Sequence, residues 1–140
     1  MSSYNVIKKT ETRTAVINLC DDDIMRVMLR KKSEIDLEKA QENIDAYINL
    51  IEDKKYAFLF YAEDDSVIYT EEARRNAKVN EASFAKLCVA VIVKNLAHRL
   101  VANFYYKFYK PGYPFKVFSD IQSAEVWCLT HTNKTERAVA

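Results

Sequence analysis

The spacing of apolar and polar residues predicts two neighbouring strands near the start of the chain. Over residues 14–20, alternate side chains point to opposite sides of an extended backbone, and residues 24–30 repeat this period of two. Such alternation is typical of strands. The polar link between them is short, so the two segments are predicted to form an antiparallel hairpin.

A change to a period of 3.6 predicts a helix over 36–53, with Asp36 as its N-cap. Two short runs, 56–62 and 87–93, are apolar throughout and fit central parallel strands that are covered on both faces. A polar, alanine-rich helix is predicted between these strands, from Thr70 to about Phe84. Strand, helix and strand in this order indicate parallel pairing with helical crossovers.

The last third of the chain is predicted to contain two helices and one strand. A helix is indicated by four residues that recur every four positions: Leu96, Leu100, Phe104 and Phe108. Residues 115–118 form a short predicted strand. Ser119 and Gln122 match a capping box that opens a final helix, with Ile121, Ala124 and Cys128 facing inward.

The predicted element order is therefore β-β-α-β-α-β-α-β-α. It implies a single α/β domain over residues 1–131, with a mostly parallel sheet, an N-terminal antiparallel hairpin and helices packed on the sheet. Residues 132–140 are predicted to be a polar, frayed tail. The length of 140 residues fits one domain with one core.

Glycine content excludes several kinds of site. The chain has one glycine, whereas a Walker-type phosphate loop needs two and a dinucleotide-binding fingerprint needs three. A nucleophile elbow also needs two. The cysteines also form no C-x-x-C pair of the kind that zinc sites and redox motifs use, and we expect no catalytic residues, no metal site and no cofactor. The one glycine, Gly112, lies between Pro111 and Pro114 in a predicted turn before the last strand.

Charge, the length of apolar runs and cysteine usage indicate the kind of partner and the cellular compartment of the protein. A net charge of +1 argues against nucleic acid as a partner. The longest apolar run, 87–93, is far shorter than the ~20 residues of a membrane helix. Three cysteines lie far apart in apolar stretches, which predicts buried, reduced thiols and a cytoplasmic location: Cys20, Cys88 and Cys128.

The acidic triplet Asp21, Asp22 and Asp23 suggests one alternative, a receiver-like regulator that accepts a phosphoryl group. Such a site would use Lys110 before Pro111 as its lysine. Against it, residues 24–30 alternate as a strand where a receiver has a helix. A solvated turn is the competing interpretation.

Aromatic residues are concentrated in one segment. Eight of the seventeen aromatics fall between Phe104 and Phe118, interleaved with lysines. Phe104 and Phe108 fit the core, while the remaining side chains can form a protein interface or line an apolar pocket. The candidate partner or ligand surface consists of Asn103, Tyr106, Tyr109, Lys110, Gly112 and Tyr113.

The C-terminal half resembles the small bacterial SpoIIAA-like proteins, also described as STAS/SEC14-like. The resemblance covers about residues 14–130 and includes the helix start at Thr70. It lies mainly in Arg99, Asn103, Phe104, Lys110, Pro111, Pro114, Val117, Phe118, Ala124 and Trp127. It implies a STAS-like α/β fold and, for function, binding to partner proteins.

Some STAS proteins are switched by phosphorylation at the start of a core helix, where this chain has Thr70. The neighbouring Glu71 and Glu72 would repel a phosphate, so Thr70 is a candidate helix N-cap as well as a candidate phosphorylation site. We expect a non-enzymatic module that acts through protein contacts, including self-association as a homodimer. The alternative is a small-molecule or lipid-binding domain with an aromatic pocket.

Overall fold

The computed structural model describes residues 4–76, 85–95, 97–98 and 112–132. In this part of the chain the strands are β1 (Val6–Glu11), β2 (Ala15–Cys20), β3 (Ile24–Leu29), β4 (Glu34–Ile35), β5 (Ala57–Ala62), β6 (Ile68–Tyr69), β7 (Cys88–Ile92) and β8 (Phe115–Phe118). The helices are α1 (Leu37–Leu50), α2 (Glu71–Arg75) and α3 (Ile121–Thr130).

Six of these strands form one sheet in the order β1-β2-β3-β5-β7-β8. The first three strands are antiparallel, and β3, β5, β7 and β8 are parallel to one another. The α/β class, the mostly parallel sheet and the hairpin of β2 and β3 are therefore confirmed. A separate pair, β4 and β6, is also parallel and was not predicted.

The edge strand β1 was missed by the sequence prediction. Most of its residues are exposed, and its pairing with β2 is interrupted by a bulge between Val6 and Lys8. A bulge inserts one extra residue and breaks the period of two. With neither burial nor alternation, β1 exists because its backbone pairs with β2.

The central strands β5 and β7 are buried on both faces, as their apolar runs predicted. On the first face, α1 covers a cluster in which the rings of Tyr47 and Phe58 meet edge to face at 5.6 Å. On the second face, α3 packs on β5, β7 and β8. Its Ala124 and Cys128 are fully buried there, as predicted.

Helix α1 is shorter than its predicted range of 36–53. The Asp36 carboxylate accepts the backbone N–H of Lys39 at 2.9 Å, which confirms the predicted N-cap. At the other end, Ile51 adopts an extended conformation and terminates the helix. Ile51 is the last residue of the apolar stripe, and the predicted range extends past it by two polar residues, Glu52 and Asp53.

The start of α3 corrects two predictions. Its N-cap is Asp120 rather than Ser119, because the Asp120 carboxylate accepts the Ser123 N–H at 2.8 Å. Ile121 was expected to face inward but is 42% exposed, since it lies in the first turn beside the cap. Thr132, where the tail was predicted to begin, is buried and its hydroxyl donates to the Leu129 carbonyl.

Two predicted helices fall largely outside the described residues. The helix expected from Thr70 is described only as α2 and its C-cap Asn76. The four residues that indicate the helix over 96–108 lie outside the described ranges. No helix among the described residues is long and apolar enough to cross a bilayer.

Candidate interaction surface

The second face of the sheet is covered unevenly by the described helices. Because α3 follows the edge strand β8, it packs back over β8, β7 and β5. On β3, Ile24 and Arg26 still contact the elements that α3 covers, through the apolar cluster and through Glu125. The remaining second-face side chains of β1, β2 and β3 lie beyond α3. We call this strip the open half-face, and it consists of Val6, Lys9, Val16, Asn18, Met28 and the adjoining Tyr61.

Strand register places these side chains side by side. Val16 pairs with Met28, and Met28 pairs with Tyr61, so the three form a continuous apolar row across β2, β3 and β5. All three are half-buried. Val6, on the edge strand, is 48% exposed. The result is an apolar strip with partial access to solvent, next to a helix.

A buried ion cluster lies under the border between α3 and the open half-face. The guanidinium of Arg26 donates to both oxygens of Asp22 at 3.0 and 2.9 Å. Its Nε and Nη2 donate to Glu125 Oε2 at 3.1 and 2.6 Å. The exposed side-chain fractions are 4% for Arg26, 12% for Asp22 and 9% for Glu125.

This cluster holds Arg26 in its charged form. Burial alone would lower the pKa of Arg26, but hydrogen bonds to Asp22 and Glu125 outweigh that effect and raise it above its ordinary value. Since both carboxylates engage the guanidinium, the cluster fastens α3 to β3. Its geometry is that of a structural tie between two elements.

The N-terminal segment closes the cluster from outside. Tyr4 lies with its ring centroid 3.5 Å from Arg26 Cζ, a cation–π contact. Asn5 holds this segment in place, because its backbone N–H and its amide both donate to the Asp21 carboxylate, at 2.9 and 3.2 Å. Tyr4 remains 38% exposed and extends the apolar surface around Val6.

Asn18 adds a polar group to the middle of the strip. Its Oδ1 atom is buried and accepts no hydrogen bond from the described residues. An unsatisfied buried acceptor costs about 1–3 kcal/mol. Asn18 pairs with Lys9 on one side and Arg26 on the other.

The sequence-predicted surface is described only in part. Asn103, Tyr106, Tyr109 and Lys110 lie outside the described residues. Gly112 is exposed, while Tyr113 is half-buried and packs against the first-face core. Lys86 Nζ lies 4.9 Å from the centre of the Tyr113 ring. Tyr113 therefore packs in part against the core, and its place in the candidate surface stays a prediction.

Thr70 lies at the other end of the parallel strands from Gly112 and Tyr113. Its hydroxyl accepts the Ala73 N–H at 3.2 Å, in the geometry of an N-cap for α2. The loop before β8 is at the amino end of the strands, whereas Thr70 follows the carboxyl end of β5. The structure does not bring these candidate residues together, and phosphorylation of Thr70 stays a prediction.

The receiver alternative is contradicted by the structure. Residues 24–29 form β3, a strand parallel to β5, so the triplet lies at the amino ends of the parallel strands. Ligands of open α/β sheets bind at the carboxyl ends. The three carboxylates instead interact with Asn5, Arg26 and Lys54.

Other chemistry-bearing residues are accounted for structurally. Glu63 accepts the Lys31 N–H and Ser66 accepts the Lys32 N–H, so the acidic loop after β5 is tied to the loop after β3. His98 is exposed. The described ranges contain no group of three or more His, Cys, Asp or Glu side chains placed to hold a metal ion.

The three cysteines are free and fully buried. A hydrogen bond with the Cys88 thiol, together with burial, raises the pKa of Cys128 well above its ordinary value. Burial likewise raises the pKa of Cys20. Protonated, inaccessible thiols are poor nucleophiles and poor metal ligands.

Sequence reasoning missed the open half-face and the cluster beneath it. One signal was present, because Arg26 interrupts the otherwise apolar strand β3 on the side that Met28 occupies. A charged residue at such a position requires a buried partner. Its partner Glu125 is 99 residues away in the sequence, so no local pattern identifies it.

Comparisons with known proteins give a family and a fold. Residues 18–132 match a domain of unknown function, DUF7793. The chain is also similar to the crystal structure of an uncharacterized protein from the DUF3478 family with a SpoIIAA-like fold, from Shewanella loihica PV-4. That likeness has a TM-score of 0.54 at 14% identity and covers 91% of this chain and 98% of the other. A search of curated proteins found no significant match.

Proposed function

The chain belongs to the domain family DUF7793, whose function is unknown, and we propose that it is a non-enzymatic STAS-like module that works by binding another protein. The SpoIIAA-like fold expected from the sequence is confirmed by the structural likeness. The proposal rests on one observation, the open half-face. A half-buried apolar row beside exposed Tyr4 and Val6 is the kind of surface that marks protein contacts.

The dimensions of the strip favour one amphipathic helix of the partner as its occupant. Three strands span about 14 Å at ~4.8 Å per strand, and a helix with its side chains is about 10–12 Å across. Helix α3 already covers the other three strands of this face. A second helix beside α3 would bury Val16, Met28 and Tyr61.

Charge adds to the description of that helix. Lys9 stands exposed at the rim of the strip, so an acidic residue on the partner helix would complement it. The partner is therefore an amphipathic helix with an apolar face and one carboxylate. The buried free thiols favour a reducing, cytoplasmic setting.

The test compares two charge insertions in cells that naturally make the protein. We expect the tagged chain to elute in gel filtration above its own mass of 16.3 kDa. Met28→Glu should return it to the mass of the free chain, because a charge would lie in the apolar row. Ile48→Glu, on an exposed position of α1, should leave the elution unchanged. An unshifted Met28→Glu variant with native circular dichroism would refute the role of the open half-face.

A further inference from the structure

The outer edge of β1 is a second surface that the fold leaves available. No described strand pairs with it, since β1 is the first strand of the sheet and β2 occupies its other side. Such an edge offers a row of backbone N–H and C=O groups to another strand. Val6 and Ile7, the first two residues of β1, are 48% and 58% exposed. The charged side chains of β1 decide which strand can pair with this edge.

Charges on β1 oppose several of the registers in which a strand could be added. Lys8 and Lys9 occupy the middle of β1, and edge lysines are a common device against unwanted pairing. A second copy of the chain can add its own β1 antiparallel to the first around a twofold axis normal to the sheet. That axis passes between the two copies of one residue, which lie directly opposite each other, and we name the axis by that residue.

Four such axes pass through the residues from Lys8 to Glu11, one for each residue. Only the axis through Thr10 places opposite charges across from each other. An axis through Lys8 or Lys9 places two lysines face to face, and an axis through Glu11 places two glutamates face to face. An axis through Thr10 places Lys9 of each copy opposite Glu11 of the other. Opposite charges in a cross-strand pair stabilise it and like charges destabilise it.

The side-chain directions are consistent with the Thr10 axis. Directly opposed residues of an antiparallel pair lie on the same face of the sheet. Lys9 pairs with Asn18 and Glu11 pairs with Val16, so both lie on the face of the open half-face. Glu11 accepts from Arg30 at 3.0 Å, and both side chains are exposed. A second cation can therefore approach Glu11 without the burial of an unpaired charge.

We propose that two copies of this chain pair through β1, antiparallel and centred on Thr10, to form one continuous twelve-stranded sheet. This inference rests on the proposed protein-binding function and names a second copy as one partner. The two open half-faces then lie side by side on the same face of the dimer. A contact of one strand per copy is small, so the dimer is expected to dissociate in the micromolar range or weaker.

Charge reversal tests the register directly. Sedimentation of the full chain from about 10 µM to about 1 mM should show a monomer–dimer equilibrium. Lys9→Glu places two glutamates opposite two glutamates and should weaken association about tenfold or more. Glu11→Lys should weaken it similarly through opposed lysines. The double variant with both changes restores two opposite-charge pairs and should recover the dimer.

A mixture of the two single variants, Lys9→Glu and Glu11→Lys, gives the sharpest result. The first variant carries glutamate at both positions and the second carries lysine at both, so every cross-strand pair between the two chains joins opposite charges. A heterodimer should therefore form although neither variant dimerises alone. Lys116→Glu on the opposite edge strand β8 is the matched control and should leave the dimer unchanged. Circular dichroism of each variant checks that it remains folded.

Two results would overturn the inference. The first is a monomer throughout the concentration range. The second is a dimer that Lys9→Glu leaves intact; if Tyr109→Glu abolishes that dimer, self-association is assigned to the aromatic segment. Neither of them changes the outcome expected for Met28→Glu, so failure here is distinguishable from failure of the proposed function.

Discussion

Replacement of Arg26 by methionine tests whether the buried ion cluster holds α3 on the sheet. Methionine keeps an unbranched side chain of similar reach but removes the charge. It eliminates four hydrogen bonds to Asp22 and Glu125 and leaves two carboxylates without their cation. It also removes the cation–π contact with Tyr4.

The expected loss follows from burial. Removing one partner of a buried ion pair costs about 3–5 kcal/mol, because the remaining charge stays buried. The lost cation–π contact adds about 0.5–1 kcal/mol at a partly exposed ring. For a domain of this size, 1 kcal/mol lowers Tm by about 3–4 °C. Arg26→Met should therefore lower Tm by about 10–24 °C.

Urea unfolding measures the loss of stability. Circular dichroism follows the unfolding of the whole chain, and the fluorescence of Trp127 follows α3. The matched control is Arg30→Met, which breaks an exposed pair with Glu11 and should cost at most about 1 kcal/mol. The double variant Arg26→Met with Glu125→Met should be more stable than Arg26→Met alone, because it removes one of the two buried carboxylates that have lost Arg26. The reasoning is refuted if Arg26→Met unfolds within about 1 kcal/mol of the wild type with an unchanged urea dependence.

Three further outcomes are expected. Asp36→Ala should lower the free energy of unfolding by about 1 kcal/mol in urea titrations, because α1 loses its N-cap. Burial raises the pKa of Tyr47, so the folded state favours the neutral phenol; stability should be full below pH ~10 and fall at higher pH, as alkaline thermal melts would show. A thiol reagent should react slowly with the native protein and count three thiols after denaturation, whereas rapid native labelling would contradict the burial of Cys20, Cys88 and Cys128.

Local patterns predicted the elements that build the core. Period two identified β2 and β3, the apolar runs identified β5 and β7, and the helical stripe identified α1. In each of these elements, residues a few positions apart share one buried face, so the local spacing of apolar residues predicts which face is buried. The cap of α3 was assigned one residue early because Ser119 and Asp120 are both good N-cap residues.

Elements that depend on distant partners were not predictable in the same way. Strand β1 is stabilised by backbone pairing with β2, and its exposed side chains carry no periodic signal. The pairing of Arg26 with Glu125 depends on how α3 returns across the sheet from β8. The open half-face exists because, among the described elements, α3 covers β5, β7 and β8 and reaches β3 only at Ile24 and Arg26. Topology, rather than composition, creates this surface.

Site-specific photo-crosslinking tests the central claim, that the open half-face binds a protein, most directly. Two variants are made, one with a photoreactive amino acid in place of Met28 and one with it in place of exposed Ile48 of α1. Each variant is irradiated in cells that naturally make the protein. We expect a crosslinked protein at position 28, with the attachment site in an amphipathic helix of the partner, and none at position 48. Equal crosslinking at both positions, or none at position 28, would contradict the account.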